Sequence, residues 1–218
     1  EYEDGFFARD GNPYGMAVII PLDLPGVSKG KPLEKIGQRA LPQGEIYFDN
    51  VRVPKRFAVA LKDDYYGNMT SAWSFAGTHM GQAFTGVARA GFEMALQYCH
   101  ERKQGGRTLI DHQLTRYRLG DMLRRVELCR SVARRSLAYA RLSPLTHPYV
   151  TAAGKVTVTQ EAMKVVDEAF QLFGGAGMSR EYPIEKLYRD ARVALIEDGE
   201  NTILTMRLGV LAQQLYAE

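Results

Sequence analysis

The sequence predicts a mainly α protein in which a partial antiparallel β-domain precedes a C-terminal four-helix up-and-down bundle. Three observations lead to this fold class. The residue pattern changes from strand-like to helical near residue 62, proline is absent from Ala72 to Leu142, and the breaks between helical stretches are short. Long helices need proline-free stretches, and short connections favour antiparallel neighbours in a bundle. We therefore expect two domains, which cover residues 1–62 and 63–218.

The β-like region contains strand candidates bounded by turn residues. Gly15–Pro21 is an apolar run typical of a buried strand, and it follows a turn at Asp10–Pro13. Glu45–Val53 places apolar residues among polar ones until Pro54 stops it. So few strands cannot close a sandwich or a barrel. Since the chain also opens without Met or a capped first element, we expect it to begin inside a domain.

The helical region is predicted from periodicity and from its breaks. A first helix is expected over roughly Thr70–Arg102, and a second keeps one apolar face over residues 110–137 at a period near 3.6. Ser143–Pro148 breaks the second helix, and the third continues until the glycines of Gly174–Gly177. Two shorter helices are expected at Ile184–Leu195 and Thr202–Tyr216.

The composition argues against several classes of protein. Hydrophobic residues make up 45% and charged residues 24%, which is ordinary for a soluble globular chain. The formal net charge is only +3, so we interpret the arginines of residues 107–141 as a solvated or subunit-facing surface and expect no nucleic-acid binding. No apolar run approaches the roughly 18 residues of a membrane helix. Cys99 and Cys129 lack metal or redox spacing, so we expect buried, reduced thiols and no metal site.

Three short segments could carry chemistry, and each has a structural alternative. Glu101–Arg107 combines arginines and glycines that suit phosphate contact, or it is only a helix C-cap and loop. Gln171–Met178 ends a helix in glycines, where a backbone or a cofactor could pack closely. Ile196–Ile203 crowds carboxylates into a turn. One of them could act as a base, or Asp198 or Asn201 could simply cap the following helix.

Taken in order, these segments resemble the acyl-CoA dehydrogenase family. The resemblance rests on Pro25–Ser28, Lys35–Arg39, Ile46–Pro54, Tyr98–Gly106 with Asp111–Gln113, and Gln171–Gly177 followed by Glu181–Arg192. No single motif is decisive, but their order and spacing extend over nearly the whole chain. The resemblance implies the end of a β-domain followed by a four-helix bundle. It also implies a homo-oligomer, dimeric or tetrameric, with FAD as cofactor.

The resemblance further implies where FAD would be bound. Arg102 and Gln104 would contact its pyrophosphate, and Gln113 would lie nearby. Asn201 and Thr202 would lie near the cofactor at the start of the last helix. A partner subunit would bring three residues to the adenosine part, namely Gln171, Gly174 and Gly175.

The implied reaction is the α,β-dehydrogenation of an acyl-CoA thioester. A carboxylate removes the α-proton, and a hydride leaves the β-carbon for flavin N5. The family's base is usually a Glu followed by Gly, and Asp198 and Gly199 align with that pair. Gly199 would then contact the substrate. Because Asp is one methylene shorter, three possibilities stay open: Asp198 is the base in a reshaped pocket, Glu197 replaces it, or the chain is a divergent member without this activity.

Other implications concern the surroundings of the site. Some family members carry the base on the first bundle helix, but the matching residues 76–78 contain no acid, and Gly77 stands where an Arg is usual. The resemblance implies an electron-transfer flavoprotein or a similar acceptor as partner, in the bacterial cytoplasm or the mitochondrial matrix. Other flavin contacts would lie upstream of residue 1. A catalytically incomplete helical assembly module therefore stays open as an alternative.

Overall fold

A computed structural model of the chain describes residues 15–60, 64–142 and 148–215, except for the side chain of Gln214. These residues form two compact units: one contains residues 15–35 and 39–72, and the other contains residues 36–38 and 73–215. The predicted turn at Asp10–Pro13 lies outside the described residues, and so does the predicted break at Ser143–Pro148 except for Pro148, which begins a helix.

Short antiparallel strands form the β part of the first unit. They are β1 (Ala17–Val18), β2 (Val27–Lys29), β3 (Ile46–Phe48) and β4 (Ala58–Ala60), paired as β1 with β4 and β2 with β3. In the second pair, Val27 lies opposite Phe48. Gly26 leads into β2 at a φ of +89°, and a Cβ there would lie 2.2 Å from the carbonyl oxygen of Asp49. Only glycine fits this turn without moving the backbone.

Helices make up most of the second unit. The described helices are α1 (Tyr65–Glu101), α2 (Gln113–Leu142), α3 (Pro148–Phe173), α4 (Ile184–Val193) and α5 (Asn201–Leu215). A hairpin of β5 (Lys103–Gln104) and β6 (Arg107–Thr108) joins α1 to α2. The predicted fold class is confirmed: the protein is mainly α, with a C-terminal helical domain and short antiparallel pairs of strands.

Helix α3 lies at the centre of the helical core and contacts α2, α4 and α5. Its apolar face includes Val158, Ala162 and Val165, which are fully buried. The approach to α2 is close at Gly154, where a Cβ would lie 2.7 Å from Oγ of Ser136. This spacing leaves no room for a side chain, so the glycine sets the distance between the two helices.

Both cysteines lie in this core as free, buried thiols, as predicted. Burial, with a smaller contribution from the nearby Glu161 carboxylate, raises the pKa of Cys129 to about 11. Such a thiol has little thiolate character at neutral pH, and we therefore treat it as a packing residue.

Acidic partners surround many of the α2 arginines. Asp121 accepts hydrogen bonds from Arg124 and Arg125, each at 2.6 Å, and Arg125 also pairs with Glu161 of α3. These arginines were interpreted as a solvated or subunit-facing surface, and the structure shows that several of them are paired with acidic residues of the same chain. Among the described residues, no helix combines the length and apolarity that a membrane crossing requires.

Candidate functional site

A cavity of about 360 Å³ lies at the end of the helical unit where α1, the β5–β6 hairpin and the end of α3 meet. Four of the predicted cofactor residues line it, namely Arg102, Gln104, Gly174 and Gly175. Its other walls are largely apolar and consist of Tyr98, Leu109, Leu172, Phe173 and Ala176. Within one chain, the structure thus brings together two segments that are remote in sequence.

The β5–β6 hairpin, which contributes Gln104 to the lining of the cavity, turns at a pair of glycines. Gly105 and Gly106 both have positive φ, +63° and +80°, as a two-residue hairpin turn requires. The segment was expected to be a C-cap, a loop or a phosphate contact, and the hairpin was not predicted. Nε2 of His112 donates to the carbonyl of Gln104 at 2.9 Å, and Nδ1 accepts from Nε of Arg107 at 3.4 Å. These two contacts fit one neutral tautomer of the ring.

Tyr98 and Phe173, which both line the cavity, belong to an aromatic cluster that is followed by glycines. Tyr98 and Phe173 stack with ring centroids 4.2 Å apart, and Tyr182 meets both rings edge-on. Gly174 follows at a φ of +57°, and a Cβ on Gly174 or Gly175 would meet nothing within 4 Å. A ligand could therefore approach this backbone closely. The cavity fits a ligand with an anionic group near the Arg102 guanidinium and a flat, largely apolar part.

The turn between α4 and α5 forms a second candidate site. Asp198 has a φ of +50° and Gly199 a φ of +96°, so two consecutive residues adopt left-handed backbone. Glycine accepts this readily, whereas a non-glycine residue there is held under strain by its surroundings. Asp198 is exposed, and within the described chain its carboxylate has no hydrogen bond or ion pair.

Glu197, the other candidate base, is held by a segment from far upstream. Nε2 of Gln38 donates to its carboxylate, while the backbone N–H of Gln38 donates to Asp190 at 2.5 Å. Nη1 of Arg189 donates to the carbonyl of Ile36 at 2.6 Å. The segment 36–38 therefore packs on α4, and the Glu197 side chain is only partly accessible.

The N-terminus of α5 is capped by Glu200, a residue that was not considered for this role from the sequence. Oε2 of Glu200 accepts the backbone N–H groups of Thr202 at 2.8 Å and Ile203 at 3.1 Å. These bonds, the one from Thr202 foremost, lower the pKa of Glu200. The expectation that Asp198 or Asn201 caps the helix was wrong, because the longer Glu200 side chain reaches these N–H groups.

Asn201 lies at the start of α5, where it is buried and bonded to two residues of α3. Nδ2 donates to Oγ1 of Thr159 at 3.1 Å, and Oδ1 accepts from Nζ of Lys155 at 2.8 Å. Nζ of Lys155 also donates to the carbonyl of Gly199 at 2.7 Å. The α3 helix thereby holds the turn from beneath.

Lys155 was not predicted from the sequence as a site residue, although its place on the apolar stripe of α3 pointed to a buried charge. It lies three positions before Val158 on the apolar stripe of α3, and its relative exposure is 0%. Burial lowers its pKa, while the negative charges of Asp198, Glu197 and Glu200 partly offset this effect. A lysine in register with a buried stripe could have been recognised as a candidate.

The remaining predicted residues lie on the surface. Gln113 begins α2 and Gln171 lies near the end of α3, and both are exposed outside the lining of the cavity. Thr202 is also exposed, beside the cap made by Glu200.

Comparison with known proteins gives the family. Residues 71–212 match the acyl-CoA dehydrogenase C-terminal domain. Cyclohexane-1-carbonyl-CoA dehydrogenase of Geobacter metallireducens is 30% identical, over 92% of this chain and 52% of its own length. A probable acyl-CoA dehydrogenase of Bacillus subtilis is 33% identical, over 95% of this chain and 53% of its own length. The chain spans about half the length of these curated relatives.

Solved structures agree with this assignment. Butyryl-CoA dehydrogenase from Megasphaera elsdenii superposes with a TM-score of 0.86 at 27% identity, over 94% of this chain and 53% of that one. The match of the C-terminal domain covers most of the chain, and the relatives carry the same family name. The chain therefore belongs to the acyl-CoA dehydrogenase family.

Proposed function

We propose that the protein containing this chain is an FAD-dependent acyl-CoA dehydrogenase that removes hydrogens from the α- and β-carbons of an acyl-CoA thioester. The observation that carries the proposal is the turn between α4 and α5 in a chain of this family. There, Asp198 presents an exposed carboxylate with no hydrogen bond or ion pair to the described residues, on a backbone that Lys155 holds through the Gly199 carbonyl.

Asp198 is the proposed base, and Glu197 is not. A general base must reach the proton that it removes, and a carboxylate already committed to another donor is poorly placed to do so. Glu197 accepts a hydrogen bond from Gln38, which is itself fixed on α4. Asp198 accepts the α-proton of the thioester in this proposal, while the adjacent Gly199 lets the substrate approach the backbone.

The cavity at the end of α1 is proposed to bind the phosphate side of FAD. The chemistry that bound FAD would supply there is acceptance of the hydride that leaves the β-carbon of the substrate. The Arg102 guanidinium and the Gln104 amide would contact the pyrophosphate, with Gln113 close by. Three further residues would contact the adenosine part: Gln171, Gly174 and Gly175. Because Gly174 and Gly175 line the same cavity as Arg102 and Gln104, they would contact the same FAD molecule, rather than a different one as the resemblance implied.

The start of α5 is proposed to lie near the cofactor as well. The Asn201 amide is already bonded to Lys155 and Thr159, so we expect it to act by fixing the first turn of α5. Thr202 is exposed and could contact the cofactor directly. The N-terminus of a helix also favours negative charge nearby. In α5, the carboxylate of Glu200 already accepts the backbone N–H of Thr202.

The proposed partners follow from the reaction and from the surface. Relatives are named for the CoA thioesters of cyclohexane-1-carboxylate and glutarate, which supports an acyl-CoA as substrate. An electron-transfer flavoprotein or a similar acceptor would remove the electrons. Helix α5 exposes Ile203, Met206 and Val210, each more than half accessible, and a second copy in a dimer or tetramer would cover such side chains.

The proposal is tested on the full-length protein purified without added cofactor. We expect stoichiometric bound FAD and bleaching of its visible absorption when an acyl-CoA is added without oxygen. A panel of straight, branched and cyclic acyl-CoA thioesters would identify the substrate. A colourless full-length protein that cannot be loaded with FAD, or bound FAD that no acyl-CoA reduces, would contradict the proposal.

A further inference from the structure

We infer that Lys155 is a positioning residue for the proposed reaction: its buried ammonium group fixes the turn that carries Asp198 and supplies the positive charge facing the carboxylates of that turn. This inference rests on the proposed function and extends it to a residue outside the α4–α5 turn.

The contacts of Lys155 enclose the turn from both sides. Its Nζ donates to the carbonyl of Gly199 at 2.7 Å, directly after Asp198. It also donates to Oδ1 of Asn201 at 2.8 Å, at the first residue of α5. Both acceptors lie more than 40 residues away in sequence, so a single side chain of α3 ties the turn to the core.

Stability alone does not account for a lysine at this position. Desolvating an ammonium group is costly, and apolar residues of similar volume often replace buried ions without loss of stability. The stripe of α3 continues from Lys155 to Val158 and Ala162, which are fully buried apolar residues. Gly77 of α1 packs against the Lys155 stem. A Cβ on Gly77 would lie 3.5 Å from Cβ of Lys155, which is ordinary van der Waals contact. An apolar side chain would fit this stripe, whereas the hydrogen bonds of the Lys155 ammonium group to described residues go to Gly199 of the turn and to Asn201 at the start of α5.

The turn needs such support because its backbone is strained where the proposed base lies. Asp198 adopts a φ of +50°, a conformation that persists only where the surroundings hold it. The side chain of aspartate is also short, so the position of its backbone determines where the carboxylate can act. By fixing the Gly199 carbonyl, Lys155 fixes the peptide that follows Asp198.

The charge of Lys155 faces three carboxylates and no other cation among the described residues. Asp198, Glu197 and Glu200 attract it from the turn. Gly77 of α1, which packs against the Lys155 stem, brings no charge, and from α3 itself Thr159 donates its hydroxyl to the Lys155 carbonyl. Attraction between the Lys155 ammonium group and these carboxylates adds to its hydrogen bonds in holding the turn against α3.

The test uses the full-length protein with its bound flavin and the variant Lys155→Met. Methionine retains the length and apolar volume of the stem but removes the ammonium group. Lys164→Met is the matched control, because Lys164 lies on the same helix at the surface and pairs only with Glu161 in the described chain. For each protein, flavin content, the melting temperature and the rate constant of flavin reduction at saturating acyl-CoA are measured.

We expect Lys155→Met to retain FAD while the rate constant of reduction falls by roughly 10- to 100-fold, as for a misplaced catalytic group. Lys155→Gln, whose amide can still donate a hydrogen bond to the turn, should recover part of the lost rate. Lys164→Met should match the parent in flavin content and in rate. If the parent is reduced by acyl-CoA but Lys155→Met shows an unchanged rate, the inference is wrong and the proposed function stands.

Other outcomes are equally decisive. A lower melting temperature with a normal rate per bound flavin would assign Lys155 a purely structural role and overturn the inference. If Lys155→Met does not fold, Lys155→Gln alone is compared with the parent, since its amide still donates a hydrogen bond without the charge. A normal rate per bound flavin in Lys155→Gln overturns the role of the charge. A parent protein that no acyl-CoA reduces overturns the proposed function and this inference with it.

Discussion

The side-chain amide of Gln38 donates a hydrogen bond to the carboxylate of Glu197, across a separation of 159 residues in sequence. The contact is possible because the segment 36–38 packs directly on α4. A Cβ on Gly37 would lie 2.3 Å from the carbonyl oxygen of Arg189, a distance that no side chain tolerates. The absence of a side chain at Gly37 thus allows Gln38 to hold one of the two candidate bases.

Gly37→Ala is expected to displace this segment from α4. Relief of the clash requires movement of backbone, because the obstructing atom belongs to the main chain. We predict a loss of about 1–3 kcal/mol in the free energy of unfolding, measured by denaturant titration. Gly86→Ala is the control: it lies on the exposed face of α1 with nothing within 4 Å of its Cβ, and it should gain up to about 1 kcal/mol. Equal effects from both variants would show that the segment does not depend on Gly37.

Gly154→Ala is expected to force α2 and α3 apart. The new Cβ would lie 2.7 Å from Oγ and 2.8 Å from Cβ of Ser136, inside a packed core. Overpacking of this kind costs about 1–3 kcal/mol, which thermal and denaturant unfolding would detect. Gly120→Ala, on the exposed face of α2 with no neighbour within 4 Å, should be neutral or stabilising. A stable Gly154→Ala variant would contradict the close approach of the two helices.

The acid stability of the protein should depend on Glu161. Burial raises the pKa of this carboxyl, but hydrogen bonds from Lys164 and Arg125 outweigh that effect and lower it. A carboxyl with a lowered folded-state pKa stabilises the protein above its unfolded-state pKa, near 4.3. This contribution is lost as the pH falls through the folded-state pKa.

Glu161→Gln should therefore cost about 1–3 kcal/mol at neutral pH and flatten the decline of the melting temperature below about pH 4. Glu161 is only 13% exposed at its side chain, whereas Glu93, paired with Arg89, is 54% exposed. Glu93→Gln is thus the matched control, and we expect a change within about 1 kcal/mol. Parallel pH curves for the parent and Glu161→Gln would contradict this account.

Much of the fold could be predicted because its signals are local. The apolar period of α2 and the absence of proline indicate long helices without any knowledge of partners. The β5–β6 hairpin was missed because its strands are two residues long, and Gly105–Gly106 after a helix equally suits a C-cap. The cap by Glu200 was missed because glutamate is not among the preferred N-cap residues.

The site was only partly predictable because its contacts are remote in sequence. Resemblance gave Arg102 and Gly174, but a sequence pattern does not show that they line one cavity. A lysine on an apolar stripe indicates a buried charge, yet the acceptors of Lys155 lie 44 and 46 residues away. The bond from Gln38 to Glu197 likewise depends on the packing of a loop on α4, which no local pattern specifies.

The central claim is that Asp198 removes the α-proton of an acyl-CoA thioester. It is tested most directly by rapid mixing of acyl-CoA with the flavin-loaded full-length protein and with Asp198→Asn and Glu197→Gln. We predict that Asp198→Asn keeps its FAD while flavin reduction slows by about 100-fold or more, and that Glu197→Gln stays within about tenfold of the parent. Rapid reduction in Asp198→Asn, with loss of reduction in Glu197→Gln, would contradict the claim and make Glu197 the base.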